Sequence, residues 1–481
     1  MRIIGNDPST PRQAQIVASG TLPSGKPVVV NADGTVSIVG IGAASLGSIV
    51  EFESVGVYNI SSTYDTNAQK VVIAYKDNPN FGYGTAIVGT VSGSSISFGT
   101  PVIFESSNTD FFSVTYDANA QKIVVAYRDL SNSFYGYARV GTVSGTSISF
   151  GAKATFASVV LWHISATYDA NAQKIVIAYT DNANSDYGTA VVGTVSGTSI
   201  SFGSATVFES AGSYDNSITY DANAQKVVVS YYDSGNSNYG TAAVGTVSGT
   251  SISFGSPVVF EAAQSQFISS VYDSTNNTVV IAYMDGGDGD KGKAVIGTVS
   301  GTSISFNTAT VFYDTAGVSS LSASYNSNVG AVVISFRGAS AYGLVLEGTT
   351  TSSSITFGSP LTITTNAYNS ISSSSTYDPI AQKVVLAYSD DDDSVSGQSV
   401  VYTSAASTLT SENYIGTAAS GAADTQRAKI NLKGAVDENQ SGLTAGQSYY
   451  VQADGTLGTT PADPSVFAGT AVAATKLIVK G

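Results

Sequence analysis

A tyrosine followed by aspartate recurs along the chain at an almost constant spacing. The pair occurs seven times, once with asparagine in place of aspartate, and successive tyrosines are 52 or 53 residues apart. A fixed period of this length is typical of repeat architectures, in which each repeat is one supersecondary unit packed against its neighbours. The tyrosines are Tyr64, Tyr116, Tyr168, Tyr220, Tyr272, Tyr325 and Tyr377.

Each repeat contains four short segments with strand character and no segment with a sustained helical period. In the second repeat these segments are 112–116, 122–127, 137–143 and one that begins at Ser147, separated by polar turns. The second segment is a continuous β-branched run, as expected for a strand that is covered on both faces. Four-stranded units in tandem are typical of a β-propeller, where radial repetition leaves only short sheet edges. We therefore predict an all-β fold.

The two ends of the repeat array differ from its middle. The seventh repeat has its first three strands and stops near Tyr402, whereas 47–54, ahead of the first repeat, resembles the fourth-strand segment 99–106. Residues near 46–54 are therefore predicted to supply the outer strand of the last repeat. This arrangement predicts a closed seven-bladed β-propeller at 44–405.

The segments outside the array share a pattern of their own. In both 22–35 and 443–456, an apolar strand meets an Asp-Gly turn, which is a strong β-hairpin signal. We predict an N-terminal β-hairpin module at 1–43 and a small C-terminal β domain at 406–481. Because the ends of a propeller lie close together, the two hairpins can pack against one another.

The composition excludes several classes of protein. Cysteine is absent and His163 is the single histidine, which excludes disulfides, thiolate nucleophiles and zinc sites built on Cys or several His. The net charge of −15 would repel a polyanion, so no nucleic-acid partner is expected. No apolar run of about 18 residues occurs, and the N-terminus lacks the apolar core of a signal peptide, so neither membrane insertion nor signal-dependent export is predicted.

The C-terminal sequence from Asn439 to Gly455 is similar to the C-terminal modules of tailed-bacteriophage fibre and virion structural proteins, notably those of marine and cyanobacterial phages. The opening through Val36 and the repeated Gly-Thr-Val-Ser-Gly-Thr-Ser-Ile-Ser-Phe-Gly resemble the same class. The resemblance implies a virion appendage such as a tail fibre, tail-tip protein or head decoration. It also implies assembly in the host cytoplasm, release by lysis, and contacts with other virion proteins through the terminal modules.

The loops at one end of the repeats vary, whereas the turns at the other end are nearly uniform. Variable loops on one face can form a ligand site, where aromatic rings stack on sugars or anchor a protein partner. Neutral drift in loops, with aromatic rings capping the core, is the alternative. The candidate ligand-binding residues on this face are Tyr58, Phe111, Trp162, His163, Tyr214 and Phe267.

An aspartate ends the second strand of six repeats, and acidic residues cluster in two of the loops that follow. Hard oxygen ligands suit calcium, the one cofactor that the sequence suggests. Ordinary turn chemistry, in which the carboxylate accepts nearby backbone N–H groups, is the alternative. The candidate calcium ligands are Asp285, Asp288, Asp290 and Asp390, the last of which begins the run 390–393.

An enzymatic function is not predicted, and no catalytic residue is assigned. A glycosidase needs two carboxylates in different environments, whereas the repeated aspartates occupy equivalent ones. The array holds only three arginines and lacks the Ser-x-Asp-x-Gly-x-x-Trp box of sialidase propellers. We predict a non-enzymatic virion protein whose propeller attaches to a glycan or protein on the host surface. The alternative functions are a purely architectural connector, an extracellular lectin and a glycoside-active propeller. A homo-oligomeric state stays open.

Overall fold

The protein is described by a computed structural model that covers 12–19, 21–31, 34–40, 43–365, 368–390, 395–405, 409–410, 412–423, 425–453, 455–462 and 464–480, without the side chains of 368–372. The predicted all-β class is confirmed, since the secondary structure consists of strands and short 3-10 turns. In the described part of the chain, no helix is long and apolar enough to cross a membrane. The chain forms two compact units, Ser45–Ser404 and the combined segments Met1–Ala44 and Ala405–Gly481.

Each Tyr-Asp repeat folds into an antiparallel sheet whose first, second and third strands are adjacent in chain order. The first strand ends at the Tyr-Asp pair, and the second follows after a tight turn. The first strands are Val57–Asp65, Val102–Asp117, Leu161–Asp169, Thr206–Asp221, Val258–Asp273, Ser319–Asn326 and Tyr368–Asp378. The second strands are Lys70–Asp77, Lys122–Asp129, Lys174–Asp181, Lys226–Asp233, Thr278–Asp285, Ala331–Arg337 and Lys383–Asp390.

The third strand of each repeat pairs with a fourth strand that is interrupted in its middle. The third strands are Tyr83–Ser92, Tyr135–Ser144, Tyr187–Ser196, Tyr239–Ser248, Lys291–Ser300, Gly343–Thr350 and Ser396–Thr403. The first pieces of the fourth strands are Ser95–Phe98, Ser147–Phe150, Ser199–Phe202, Ser251–Phe254, Ser303–Phe306 and Ile355–Phe357. Their second pieces are Ala154–Ala157, Thr310–Tyr313 and Leu361–Thr364, or the beginning of the next repeat's long first strand.

The outer strand of the last repeat comes from the beginning of the array. Val50–Glu53 pairs with Ser396–Thr403, with Glu51 opposite Gln398. Ser45–Leu46 pairs with the end of the same third strand. The segment near 46–54 therefore occupies the position predicted for it.

The Tyr-Asp pair recurs because both of its side chains hold turns. The Asp117 carboxylate accepts the backbone N–H groups of Asn119 and Ala120, 3.0 and 2.8 Å away, inside its own turn. The hydroxyl of Tyr168, one repeat later, accepts the same Asn119 N–H at 3.2 Å. The motif therefore closes one turn and links it to the neighbouring repeat.

The core lies between successive sheets. The second strands are buried on both faces, and alternate side chains point toward different neighbours. Ile175 and Ile177 pack against the preceding repeat, while Val176 and Ala178 pack against the following one. This two-sided burial is the physical reason for the continuous apolar run, because a strand with one solvated face would alternate apolar and polar residues.

A ladder of serine hydroxyls joins the first strands of neighbouring repeats. In each case a backbone N–H donates to a serine Oγ of the preceding repeat over 2.9–3.1 Å. The last bond of the series connects the seventh repeat to the first. The donor–acceptor pairs are Val114–Ser61, Ala166–Ser113, Ile218–Ser165, Ser270–Ser217, Ala323–Ser269, Ser375–Ser322 and Ser62–Ser374.

The terminal unit contains two five-stranded sheets, and strands from both ends of the chain share the first of them. Gln13–Val17 pairs with Arg427–Asn431, so the N-terminal segment does not form a sheet of its own. Asp33 and Asp454, which belong to the two predicted Asp-Gly turns, lie outside the described residues. In spatial order, the first sheet is Gln13–Val17, Arg427–Asn431, Tyr414–Ala418, Pro27–Val30 and Val36–Ile38, and the second is Val436–Asp437, Lys476–Val479, Val466–Ala473, Ser448–Val451 and Leu457–Gly458.

Candidate functional site

The first strand of each repeat carries a β-bulge before its serine. The register with the second strand shifts at this point, for example between Trp162 and Ser165. The residue inside the bulge has a left-handed backbone, with φ of 50° at Phe111 and 48° at His163. We call the six residues with this conformation at equivalent positions the bulge residues. They are Asn59, Phe111, His163, Asp215, Phe267 and Ser320.

All six bulge residues line one cavity. Its volume is about 530 Å³, and five of the seven ladder serines contribute to the same wall, namely Ser61, Ser113, Ser165, Ser217 and Ser374. A left-handed conformation costs a residue other than glycine about 1–2 kcal/mol. Strain of this kind persists only where the surrounding structure imposes it, and it concentrates at ligand sites. The cavity is therefore the strongest candidate site of the repeat unit.

The six candidate residues from the sequence fall into two groups. Phe111, His163 and Phe267 are bulge residues and line the cavity. Tyr58, Trp162 and Tyr214 each precede a bulge residue by one position, and the described lining does not include them. Two members of the second group, Trp162 and Tyr214, contact lining residues from outside the cavity.

Ring contacts connect the cavity wall across three repeats. The ring centroids of Phe111 and His163 are 5.4 Å apart, and those of His163 and Tyr214 are 5.7 Å apart. Tyr214 donates its hydroxyl to Asp186 over 2.9 Å. Burial and the neighbouring Asp186 carboxylate raise the pKa of Tyr214 to about 12, so its hydroxyl stays protonated and keeps donating. The aromatic wall is thus fixed in orientation.

Arg128 is a buried anchor behind this wall. Its guanidinium forms two bonds of 2.8 and 2.7 Å to the Asp110 carboxylate and donates to the carbonyl of Leu161 over 3.0 Å. Its central carbon lies 4.2 Å from the ring centroid of Trp162 and 4.7 Å from that of Phe111. The guanidinium therefore holds both rings by cation–π contact while its charge is balanced.

Asp215 and His163 form the polar part of the cavity. His163 Nδ1 lies 3.3 Å from one Asp215 oxygen, and the backbone N–H of Phe267 donates to the other over 3.0 Å. Burial opposes ionisation of Asp215, but the interactions with His163 and Phe267 outweigh it and lower its pKa below the usual value. Asn216, the next residue, donates to the carbonyl of His163 over 3.2 Å. Asp215 is therefore a fixed carboxylate in the cavity wall.

Two of the candidate calcium ligands, Asp285 and Asp288, pair with a lysine side chain. Asp285 caps its turn by accepting the Gly287 N–H over 2.8 Å, and its other oxygen lies 2.6 Å from the ammonium group of Lys293. Asp288 binds the same ammonium over 3.1 Å. Within the described ranges, no group of three or more acidic or histidine side chains is suited to hold a metal ion. The ammonium group of Lys293 thus binds two of the four carboxylates that the calcium hypothesis assigns to the ion.

The other two candidate ligands are also held by the fold. Asp290 has a left-handed backbone with φ of 59°, and its N–H donates to the carbonyl of Asp285 over 2.9 Å. Asp390 ends the last second strand and is buried. The rest of the acidic run, 391–393, lies outside the described residues. Turn chemistry accounts for Asp285, and for Asp181 and Asp233, which accept backbone N–H groups in the same way.

Sequence reasoning missed three bulge residues and the anchor. Asn59, Asp215 and Ser320 are polar and resemble ordinary loop residues in the sequence, and the sequence pattern gives Arg128 no distinct role. A signal was present, because the bulge residues occupy one column of the repeat, at steps of 52 or 53 residues, two positions before the ladder serine. Among the six bulge residues, only phenylalanine occurs twice.

No protein-family model and no curated protein sequence matches the chain. Among solved structures, the chain is similar to the BP39L lectin from Burkholderia pseudomallei, with a TM-score of 0.55 and 11% identity over 73% of this chain and 97% of that one. A leech intramolecular trans-sialidase matches with a TM-score of 0.44 and 9% identity, over 73% of this chain and 68% of that one. AofleA from Arthrobotrys oligospora matches with a TM-score of 0.41 and 11% identity, over 71% of this chain and 94% of that one. The first likeness, with the strand order, supports a β-propeller-like fold.

Proposed function

We propose that the repeat unit is a carbohydrate-binding β-propeller without enzymatic activity, and that the cavity of the bulge residues is its glycan site. The observation that carries the proposal is that six different repeats hold a strained residue at one position, and that all six face one cavity. A purely structural bulge would favour glycine, which adopts this conformation without strain. Here the residues are Phe, His, Asp, Asn and Ser, the aromatic and polar types that line ligand pockets.

The likeness to a lectin supports the same function at the level of fold. Fold alone does not determine function, so the argument depends on the cavity chemistry. Phe111 and Phe267 offer apolar rings, while Asp215 offers carboxylate oxygens that accept hydrogen bonds. A pyranose has both an apolar C–H face and hydroxyl groups, and a cavity of about 530 Å³ lies within the size range of small-ligand pockets. The sequence-based expectation of host-surface attachment fits such a site.

Glycan binding is tested with a broad glycan array probed by the wild-type chain and by two variants. Phe267→Ala removes a ring from the cavity wall and is expected to weaken binding at least tenfold, or about 1.4 kcal/mol. Phe81→Ala is the matched control, because Phe81 is also left-handed, has 79% of its surface exposed and is not part of the described lining. Equal binding by all three proteins, or no glycan bound by the wild type, contradicts the proposal.

We further propose that the repeats form a seven-bladed ring closed by Val50–Glu53. Two observations support closure: this strand lies in the sheet of the last repeat, and the serine ladder returns from Ser374 to Ser62. The test uses the absence of cysteine from the chain. In a closed ring, Glu51→Cys with Gln398→Cys places two thiols on opposite residues of adjacent strands, and they are expected to oxidise to one disulfide within the monomer. A double variant that keeps two free thiols under oxidising conditions argues against closure.

A virion role remains our proposal for the biological setting. It is supported by the similarity of 439–455 to phage fibre and virion modules, and it places the chain on a particle released by lysis. The terminal unit would then dock to other virion proteins, and the bulge cavity would contact the host surface. Particles banded from a lysate of cells that carry the gene should contain the chain by mass spectrometry. Its recovery only in the soluble fraction would favour the free-lectin alternative.

A further inference from the structure

Charge is distributed unevenly around the cavity. In the described lining, Asp215 is the one carboxylate, His163 is the one imidazole, and neither lysine nor arginine occurs. Asp215 is therefore the one acidic group of the described lining, and His163 is the one basic side chain beside it.

Asp215 keeps hydrogen-bonding capacity for a ligand. One of its oxygens faces His163 and the other accepts the N–H of Phe267, yet 27% of the side chain is exposed in the cavity wall. An ionised carboxylate has about four acceptor positions on its two oxygens. Two of them are used by the fold, which leaves acceptor positions for a hydroxyl or ammonium group that enters the cavity.

We propose that this cavity selects glycans by charge, binding neutral and amino sugars and rejecting sugars that carry a carboxylate or sulfate. The inference rests on the proposed glycan function and adds its ligand class. A hydroxyl or ammonium group donates to Asp215, whereas an anionic group is placed beside a fixed like charge, with neither lysine nor arginine in the described lining to bind it. Repulsion of the wrong ligand is a common source of specificity. The net charge of −15 adds a weaker repulsion at long range.

The test compares glycans that share a sugar configuration and differ in charge. Arrays displaying glucose, glucosamine and glucuronic acid at matched density, and the corresponding galactose series, are probed together with the broad array at physiological ionic strength. The wild type is expected to bind anionic glycans at least about tenfold more weakly than their neutral or amino counterparts. Asp215→Asn, which keeps the shape and an acceptor oxygen, should reduce this ratio to less than about threefold.

Asp314→Asn is the matched control. It removes the same charge from a side chain that is 80% exposed and lies outside the described lining, so the discrimination should persist. Wild-type binding of uronic or sialic glycans that matches the neutral ones, and that Phe267→Ala abolishes, overturns the charge rule and leaves the glycan site intact. An unchanged ratio in Asp215→Asn also overturns it. Failure to bind any glycan refutes the proposed function and, with it, this inference.

Discussion

Replacement of Arg128 by alanine is expected to destabilise the repeat unit strongly. The Arg128 side chain is 4% exposed and that of its partner Asp110 is 15% exposed, so the two charges form a nearly buried pair. Removing one partner of such a pair leaves an uncompensated charge and costs about 3–5 kcal/mol. The orphaned carbonyl of Leu161 and the lost stacking on Trp162 and Phe111 act in the same direction. We therefore expect a loss of about 3–5 kcal/mol in the free energy of unfolding.

Two further variants separate charge from geometry. Arg128→Lys keeps the charge but not the two-pronged contact with Asp110, and should cost about 1–2 kcal/mol. Combining Asp110→Asn with Arg128→Ala removes the unpaired carboxylate and should be more stable than Arg128→Ala alone. This ordering distinguishes a buried charge from a simple loss of packing, which the second substitution would not repair.

The chain supplies its own probe for this measurement. Trp162 is the only tryptophan, and it lies directly against the guanidinium of Arg128. Urea denaturation followed by tryptophan fluorescence therefore reports on the anchor and on the unfolding of the repeat unit together. A destabilisation below about 1 kcal/mol in Arg128→Ala, or a double variant no more stable than the single one, would refute the reasoning.

Three other predictions concern turns, the core and pH. Gly203→Ala should destabilise severely because the new Cβ overlaps a backbone carbonyl oxygen that cannot move away, whereas Gly197→Ala, with φ of 60° and open space around it, should cost only about 1 kcal/mol. Tyr127→Phe should lower the free energy of unfolding by about 1–3 kcal/mol, because it removes a 2.6 Å hydrogen bond to the buried carboxylate of Glu105. Tyr179→Phe in the next repeat should be nearly neutral, since no hydrogen bond is described for the Tyr179 hydroxyl. Burial opposes the ionisation of Asp273, but hydrogen bonds lower its pKa below 3.8, so its contribution to stability is present above that pH and is lost as the pH falls further.

Urea titrations measure all three predictions, and each has a contrary outcome. Similar losses in Gly203→Ala and Gly197→Ala would mean that the carbonyl contact relaxes. Equal effects of the two tyrosine substitutions would assign the cost to ring packing. For Asp273, the stability advantage of the wild type over Asp273→Asn should shrink as the pH falls below about 4, and an advantage that grows as the pH falls contradicts the assigned sign.

The repeat and its strand content were readable from the sequence because they depend on local patterns. The 52-residue period, the β-branched second strands and the Tyr-Asp turns all require only short-range interactions, and each occurs at the predicted place. The outer strand near 46–54 pairs with the opposite end of the array, but it was readable because its sequence resembles that of other fourth strands. Because the chain contains seven copies of the repeat, residues at equivalent positions can be compared within this one sequence.

The candidate site was only partly readable, for two reasons. Aromatic character predicted Phe111, His163 and Phe267, but polar bulge residues such as Asp215 look like ordinary loop residues in the sequence. The acidic cluster at 285–290 predicts calcium when only the sequence is considered, because proximity along the chain does not show which carboxylates a lysine contacts. Lys293, on the following strand, forms ion pairs with both Asp285 and Asp288.

The sequence by itself determined the all-β class, the repeat period and the residues that form each strand, because turn chemistry and side-chain alternation act over a few residues. Only the tertiary structure decided where the strained bulge residues point and what they enclose. The cavity exists because first strands from successive repeats converge, and the Arg128 anchor exists because a second strand meets Trp162 of the next repeat. Such contacts depend on the stagger between neighbouring sheets, which is set by packing across the whole array and by no single segment.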